Sequence, residues 1–129
     1  MAYNNNVTNA AGQLSAITAA FDFNSTTVTV GTIPAGAQIV DICIDVTTAF
    51  NAAGNDEVTV GKTGTAAAYV TATSVASTGR ASVATTGVYS AWADVGTSEV
   101  TYATLTYAYT STAPTTGAGR VTIVYKAAA

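Results

Sequence analysis

Histidine is absent from this 129-residue chain, and charged residues make up only 9% of it, against roughly 25% in an ordinary soluble domain. Without histidine the chain lacks the usual general base near neutral pH. A surface so poor in charge has little electrostatic reason to keep neighbours away. Both absences point away from an enzyme and towards a protein packed against others. Cysteine occurs once, at Cys43, which permits no internal disulfide and no cysteine-based zinc site. Positive charge is confined to Lys62, Arg80, Arg120 and Lys126, and the net charge is −3. These scattered cations make no basic face for phosphates, so nucleic acid is not an expected partner. No apolar stretch approaches the roughly 20 residues of a helical membrane span, so no membrane partner is expected either. No basic segment followed by an apolar run opens the sequence, and no secretory signal is expected.

What the chain does contain is the vocabulary of strands. Threonine and valine, which favour the pleated sheet, recur with alanine, and residues alternate with period two. Val40, Ile42, Ile44 and Val46 are predicted to share the core face of one strand, with Ile39, Asp41, Cys43 and Asp45 on the other. Val58 and Val60 alternate with Glu57 and Thr59, and Leu105, Tyr107 and Tyr109 line one face of a longer run. Val121, Ile123 and Tyr125 alternate with Thr122, Val124 and Lys126.

Turn chemistry separates these runs. Pro34-Ala35-Gly36 predicts a tight turn with proline at its first central position. Asn51 to Asn55, Ser77 to Gly79 and the longer Ser111 to Gly119 predict loops. The pattern predicts an all-β fold of about eight strands, an antiparallel sandwich or barrel. Expected spans are 15–23, 26–33, 37–48, 56–62, 67–75, 80–92 with a possible break at Gly87, 98–110 and 119–126. Ala10, Leu14, Ile17 and Phe21 fall at helical spacing, and 66–75 is alanine-rich. Strand is favoured for both, because threonines and the Phe21-Asp22-Phe23 alternation interrupt them. Residues 1–14, with Asn4, Asn5 and Asn6, are expected to form a polar N-terminal arm, and 15–129 a single β-sandwich domain.

Motifs for chemistry are weak. Gly61-Lys62-Thr63 matches the end of a phosphate-binding loop, but Asp56 stands where that loop needs its first glycine. The plainer expectation is a strand end and a glycine turn. Asp41 and Asp45 lie about 13 Å apart along a strand, too far to chelate one ion without help. A calcium site would need Asp22, Asp56 or Glu57 to join one of them. The alternative is a solvated or interface face that discourages edge pairing. Cys43 has no histidine to activate it, and a small half-buried side chain is expected there. Two sequons, at Asn6 and Asn24, carry little meaning without a secretory signal. Neither catalytic, cofactor-binding nor metal-binding residues are assigned, and no cofactor is expected.

Trp92 and seven tyrosines are material for a core row, a sugar-binding surface or an interface. Tyr107 and Tyr109 are assigned to a core-facing row. Tyr3, Tyr69 and Tyr89 have less apolar company and are assigned to contacts between subunits. Asn4, Asn5 and Asn6 of the arm, and Ser111, Pro114 and Gly117 of the loop 111–119, are the other interface candidates.

A resemblance enters between Gly31 and Gly61. The run Thr32-Ile33-Pro34-Ala35-Gly36-Ala37-Gln38-Ile39-Val40-Asp41 is followed by Val46-Thr47-Thr48-Ala49-Phe50-Asn51, and Val58-Thr59-Val60-Gly61 closes it. Near the C-terminus, Ala113-Pro114-Thr115-Thr116-Gly117 precedes the strand Val121-Thr122-Ile123-Val124-Tyr125. These segments resemble small structural proteins of tailed bacteriophage virions, of the head decoration or cement type. The resemblance implies a β-sandwich, often jelly-roll-like, made in the host bacterial cytoplasm and assembled on the capsid surface. It implies the major capsid protein as partner and self-association, with a homotrimer favoured at three-fold sites. A tail or fibre component, including an adhesin for host-surface carbohydrate, is the alternative role.

Overall fold

The computed structural model describes residues 14–82 and 101–126. They form eight strands: β1 (Leu14–Asp22), β2 (Thr27–Ile33), β3 (Gln38–Thr48), β4 (Asp56–Lys62), β5 (Thr65–Ser74), β6 (Gly79–Ser82), β7 (Thr101–Tyr109) and β8 (Ala118–Lys126). Both ambiguous stretches are strands: Leu14 to Phe21 lies in β1, and the alanine-rich segment is β5. Threonine and the aromatic–polar alternation therefore outweigh the helical spacing, because each segment finds a partner strand. The expected strands over 80–92 and 98–110 are described only as β6 and β7. Of the expected N-terminal arm only Leu14 is described, and it opens β1.

The strands make two antiparallel four-stranded sheets, ordered β1-β8-β3-β6 and β2-β7-β4-β5. Only β4 and β5 are joined as a hairpin within one sheet. Among the described connections, those from β1 to β2, β2 to β3, β3 to β4, β5 to β6 and β7 to β8 cross from one sheet to the other. This order is that of a jelly roll, two Greek keys folded face to face. Inward side chains from both sheets meet in one core that includes Ile42, Ile44, Val121 and Ile123 from the first, and Ile33, Val58, Val60 and Leu105 from the second. Each such side chain contributes about 1.5–3 kcal/mol by leaving water.

One predicted face shifts. Ile42, Ile44 and Val46 point inward as expected, but Val40 is 46% exposed and Ile39 only 9%. Against β8, Ile39 pairs with Tyr125 and Asp41 with Val124, which leaves Val40 as an extra residue. This bulge moves Val40 off the core face and puts Ile39 onto it. The turn into β3 also differs by one place. Ala37 N–H donates to Pro34 O at 3.2 Å, and Gly36 has φ of 76°. Ala35 and Gly36 are thus the central residues, with proline one position earlier, and the positive φ requires glycine there.

Candidate functional site

Four loops gather at one end of the sandwich: 23–26, 49–55, 75–78 and 110–117. The jelly-roll order brings them together, because alternate connections emerge at the same end. None of the four contains a charged residue. They are also cross-tied. Phe23 N–H donates to Gly117 O at 3.1 Å, Phe50 N–H to Val75 O at 3.1 Å, and Ala53 N–H to Thr112 O at 3.3 Å.

Asn51 is the central tie. Its carboxamide oxygen accepts from the backbone N–H groups of Thr115 at 2.8 Å and Thr116 at 3.0 Å. Its amide donates to Thr115 Oγ1 at 3.0 Å, and Thr116 Oγ1 donates to Ala49 O at 3.1 Å. On the far side of the loop, Thr110 N–H donates to Asn55 O at 3.0 Å, while Asn55 N–H donates to Thr110 Oγ1 at 2.8 Å. A glycine is needed where these loops close on the core. A Cβ at Gly117, whose φ is 147°, would stand 2.5 Å from the Phe50 ring.

A buried polar pair supports this end from beneath. Asp56, 2% exposed, accepts the hydroxyl of Tyr107 and the N–H of Ala52 at 2.8 Å. Its backbone oxygen takes the N–H of Val75 at 3.0 Å. One residue therefore joins the β3–β4 loop, the β5–β6 turn and β7. Burial, then the Asp56 hydrogen bond and charge, push the Tyr107 phenol well above the ordinary tyrosine range. Tyr107 is also the middle of a row of rings: Phe21 to Phe50 at 5.8 Å, Phe50 to Tyr107 at 4.8 Å, and Tyr107 to Tyr109 at 6.1 Å. The row leaves the core at its last member, since Tyr109 is 44% exposed.

The interface candidates fall into different places. Tyr3, Asn4, Asn5, Asn6 and Tyr89 lie outside the described residues, as does Trp92. Tyr69 is a correction: it is 6% exposed and belongs to the core, because the register of β5 against β4 shifts on both sides of the Val60–Val70 pair, and this irregular stretch buries both Tyr69 and Val70. Ser111 is exposed at the loop end, in a left-handed backbone conformation (φ 67°). Pro114 and Gly117 are buried and shape the loop from inside. The residues that tie three of these loops together, Asn51 and Asp56, are not singled out for that role by the sequence. An asparagine in a loop and an aspartate opening a strand give no local sign of partners 51 to 65 residues away.

The acidic strand face also has a different context from that expected. β3 lies between β8 and β6, which pairs with Cys43 to Val46, so Asp45 guards no edge. Asp41 accepts Ser82 Oγ at 2.8 Å on both carboxylate oxygens and lies 3.4 Å from Cys43 Sγ. Asp45 pairs with Arg80 at 3.1 Å. Burial first, and the Asp41 carboxylate second, push the Cys43 thiol up, away from the reactive thiolate. Among the described residues, no three thiol or carboxylate groups converge. Gly61 and Lys62 close β4, and Thr63 and Gly64 join it to β5.

Two solved structures share this fold. A chain of the cyanophage Pam1 capsid asymmetric unit matches with a TM-score of 0.67 and 23% sequence identity, over 97% of this chain and 92% of that one. A chain of the acid-stable capsid of the Helicobacter pylori bacteriophage KHP30 matches with a TM-score of 0.62 and 16% identity, over 90% and 89%. No protein-family model and no curated protein matches the chain. By fold, from β1 to β8, the chain resembles chains of bacteriophage capsid structures.

Proposed function

We propose that the protein is a structural virion component, a decoration or cement protein on the outside of a phage head. The observation that carries this reading is the fold likeness over nearly the whole chain to chains of two phage capsids. The loop end supports it. A charge-free, cross-tied surface costs less to desolvate than one rich in lysine and glutamate, and less entropy to immobilise. In this reading the side of the loop end made by loops 49–55 and 75–78 and Ser111 seats on the major capsid protein and bridges neighbouring copies, acting by shape fit and main-chain hydrogen bonds rather than by catalysis. Self-association as a closed trimer at three-fold positions of the shell belongs to the same proposal.

The test is attachment. Purified chain is added to expanded shells that lack it, and bound copies are counted after sedimentation. The expected result is saturation at a fixed ratio to the major capsid protein. Binding should change little between low and high salt, since few ion pairs are available to be screened. Release by modest salt, or labelling of tail tips with the shells left bare, would refute the proposal.

A further inference from the structure

At the margin of the loop end, a groove of about 440 Å³ runs between the β1–β2 turn and the β7–β8 loop. Its walls include Phe23, Asn24, Thr26, Tyr107, Tyr109 and Pro114. The volume falls within the range of about 300–1,000 Å³ usual for small-ligand sites. We propose that this groove binds a neutral saccharide, a function separate from attachment to a shell.

Three features point to that ligand class. The first is Tyr109, a large aromatic side chain left 44% exposed yet held in place. Its neighbour Tyr107, 6.1 Å away between ring centres, is fastened to Asp56 and packed at a tilt against Phe50. Tyr109 therefore stands against an anchored ring and offers its exposed part to a ligand. A sugar ring has an apolar face of C–H groups that suits the electron-rich face of such an aromatic.

Hydrogen-bonding capacity is the second feature. The backbone N–H of Asn24 donates to Asp22 Oδ1 at 2.9 Å, which sets the turn. Its side-chain amide makes no hydrogen bond among the described residues. It has donors and an acceptor to offer to neighbouring hydroxyls, on the same groove as the aromatic platform. The third feature is charge. No charged residue lines the groove, so nothing compensates the desolvation of a phosphate, carboxylate or ammonium ligand. An uncharged polyhydroxylated ring meets all three conditions.

The experiment is a titration of the isotope-labelled full chain, followed by amide NMR. Glucose, galactose, mannose and N-acetylglucosamine are the neutral probes, with glucuronate and glucose 6-phosphate as charged counterparts. At least one neutral sugar should give saturable shifts at Asn24, Thr26, Ala108 and Tyr109, with a Kd on the order of 1 mM. Tyr109→Ala should weaken it about tenfold or more, while the rest of the spectrum stays in place. Tyr109→Phe keeps the ring and should retain affinity within about twofold. Asn24→Ala should weaken binding through lost hydrogen bonds to the hydroxyls. The proposal fails if no neutral sugar saturates at these residues, if the charged sugars bind as tightly, or if Tyr109→Ala leaves affinity unchanged. Shell attachment is measured separately, so either result leaves the attachment test intact.

Discussion

Replacing Tyr107 with phenylalanine removes a single oxygen from the buried support of the loop end. The ring and its 4.8 Å contact with Phe50 are retained, so the change isolates the hydrogen bond to Asp56. That bond joins a hydroxyl to a carboxylate that is 2% exposed. Hydrogen bonds to charged groups contribute about 1.5–3 kcal/mol, and a buried acceptor left unmatched adds its desolvation cost. After the change Asp56 retains the Ala52 N–H among the side-chain contacts described. The upper half of the range, about 2–3 kcal/mol, is therefore expected. At roughly 4 °C per kcal/mol for a chain of this size, Tm should fall by about 8–12 °C at neutral pH. Urea melts and calorimetry measure both quantities. Asp56→Ala should cost as much or more alone, and the double variant should cost less than the sum, because the two side chains form one unit. The pH dependence is an independent check. The folded-state pKa of Tyr107 lies above its unfolded value near 10. Its stabilisation is thus fully present below about pH 10 and is lost as pH rises towards the folded value. Between those two values the folded chain holds one more proton than the unfolded chain. Stability should then fall by about 1.4 kcal/mol per pH unit from this residue, and Tyr107→Phe should remove that part of the slope. A Tyr107→Phe variant within about 0.5 kcal/mol of the parent at neutral pH, with an unchanged alkaline slope, would refute the reasoning.

The β3 bulge makes paired expectations: Ile39→Asp buries an unpaired charge and should cost several kcal/mol, whereas Val40→Asp should stay within about 0.5 kcal/mol of the parent. Chemical denaturation of both variants checks this, and equal costs would place the bulge elsewhere. Gly117→Ala introduces a Cβ 2.5 Å from the Phe50 ring at a positive φ. It should lower stability by about 1–3 kcal/mol, read from the same melts.

The strands were legible because their signal is local. Val58 and Val60, Leu105 and Tyr107, Val121 and Ile123 each alternate with residues that face outward, and that period holds whichever strand lies alongside. The low charge was equally plain and carried the expectation of a packed, non-catalytic surface. Val40 was misread because a bulge is a property of two strands: the extra residue exists only relative to the register of β8. Tyr69 was misread because its burial beside Val70 depends on register shifts between β5 and β4, which its small neighbours in sequence do not record. The loop end was legible only in part. Ser111, Pro114 and Gly117 marked its longest loop, but Asn51 and Asp56 acquire their roles from partners far along the chain. Composition and alternation, then, determined the strands, the all-β class and the low charge of the surface, because each depends on residues close in sequence. Only the jelly-roll order of the two sheets decided which loops share an end, which aromatic leaves the core, and where Asp56 finds Tyr107, because those depend on crossings between sheets that no local pattern records.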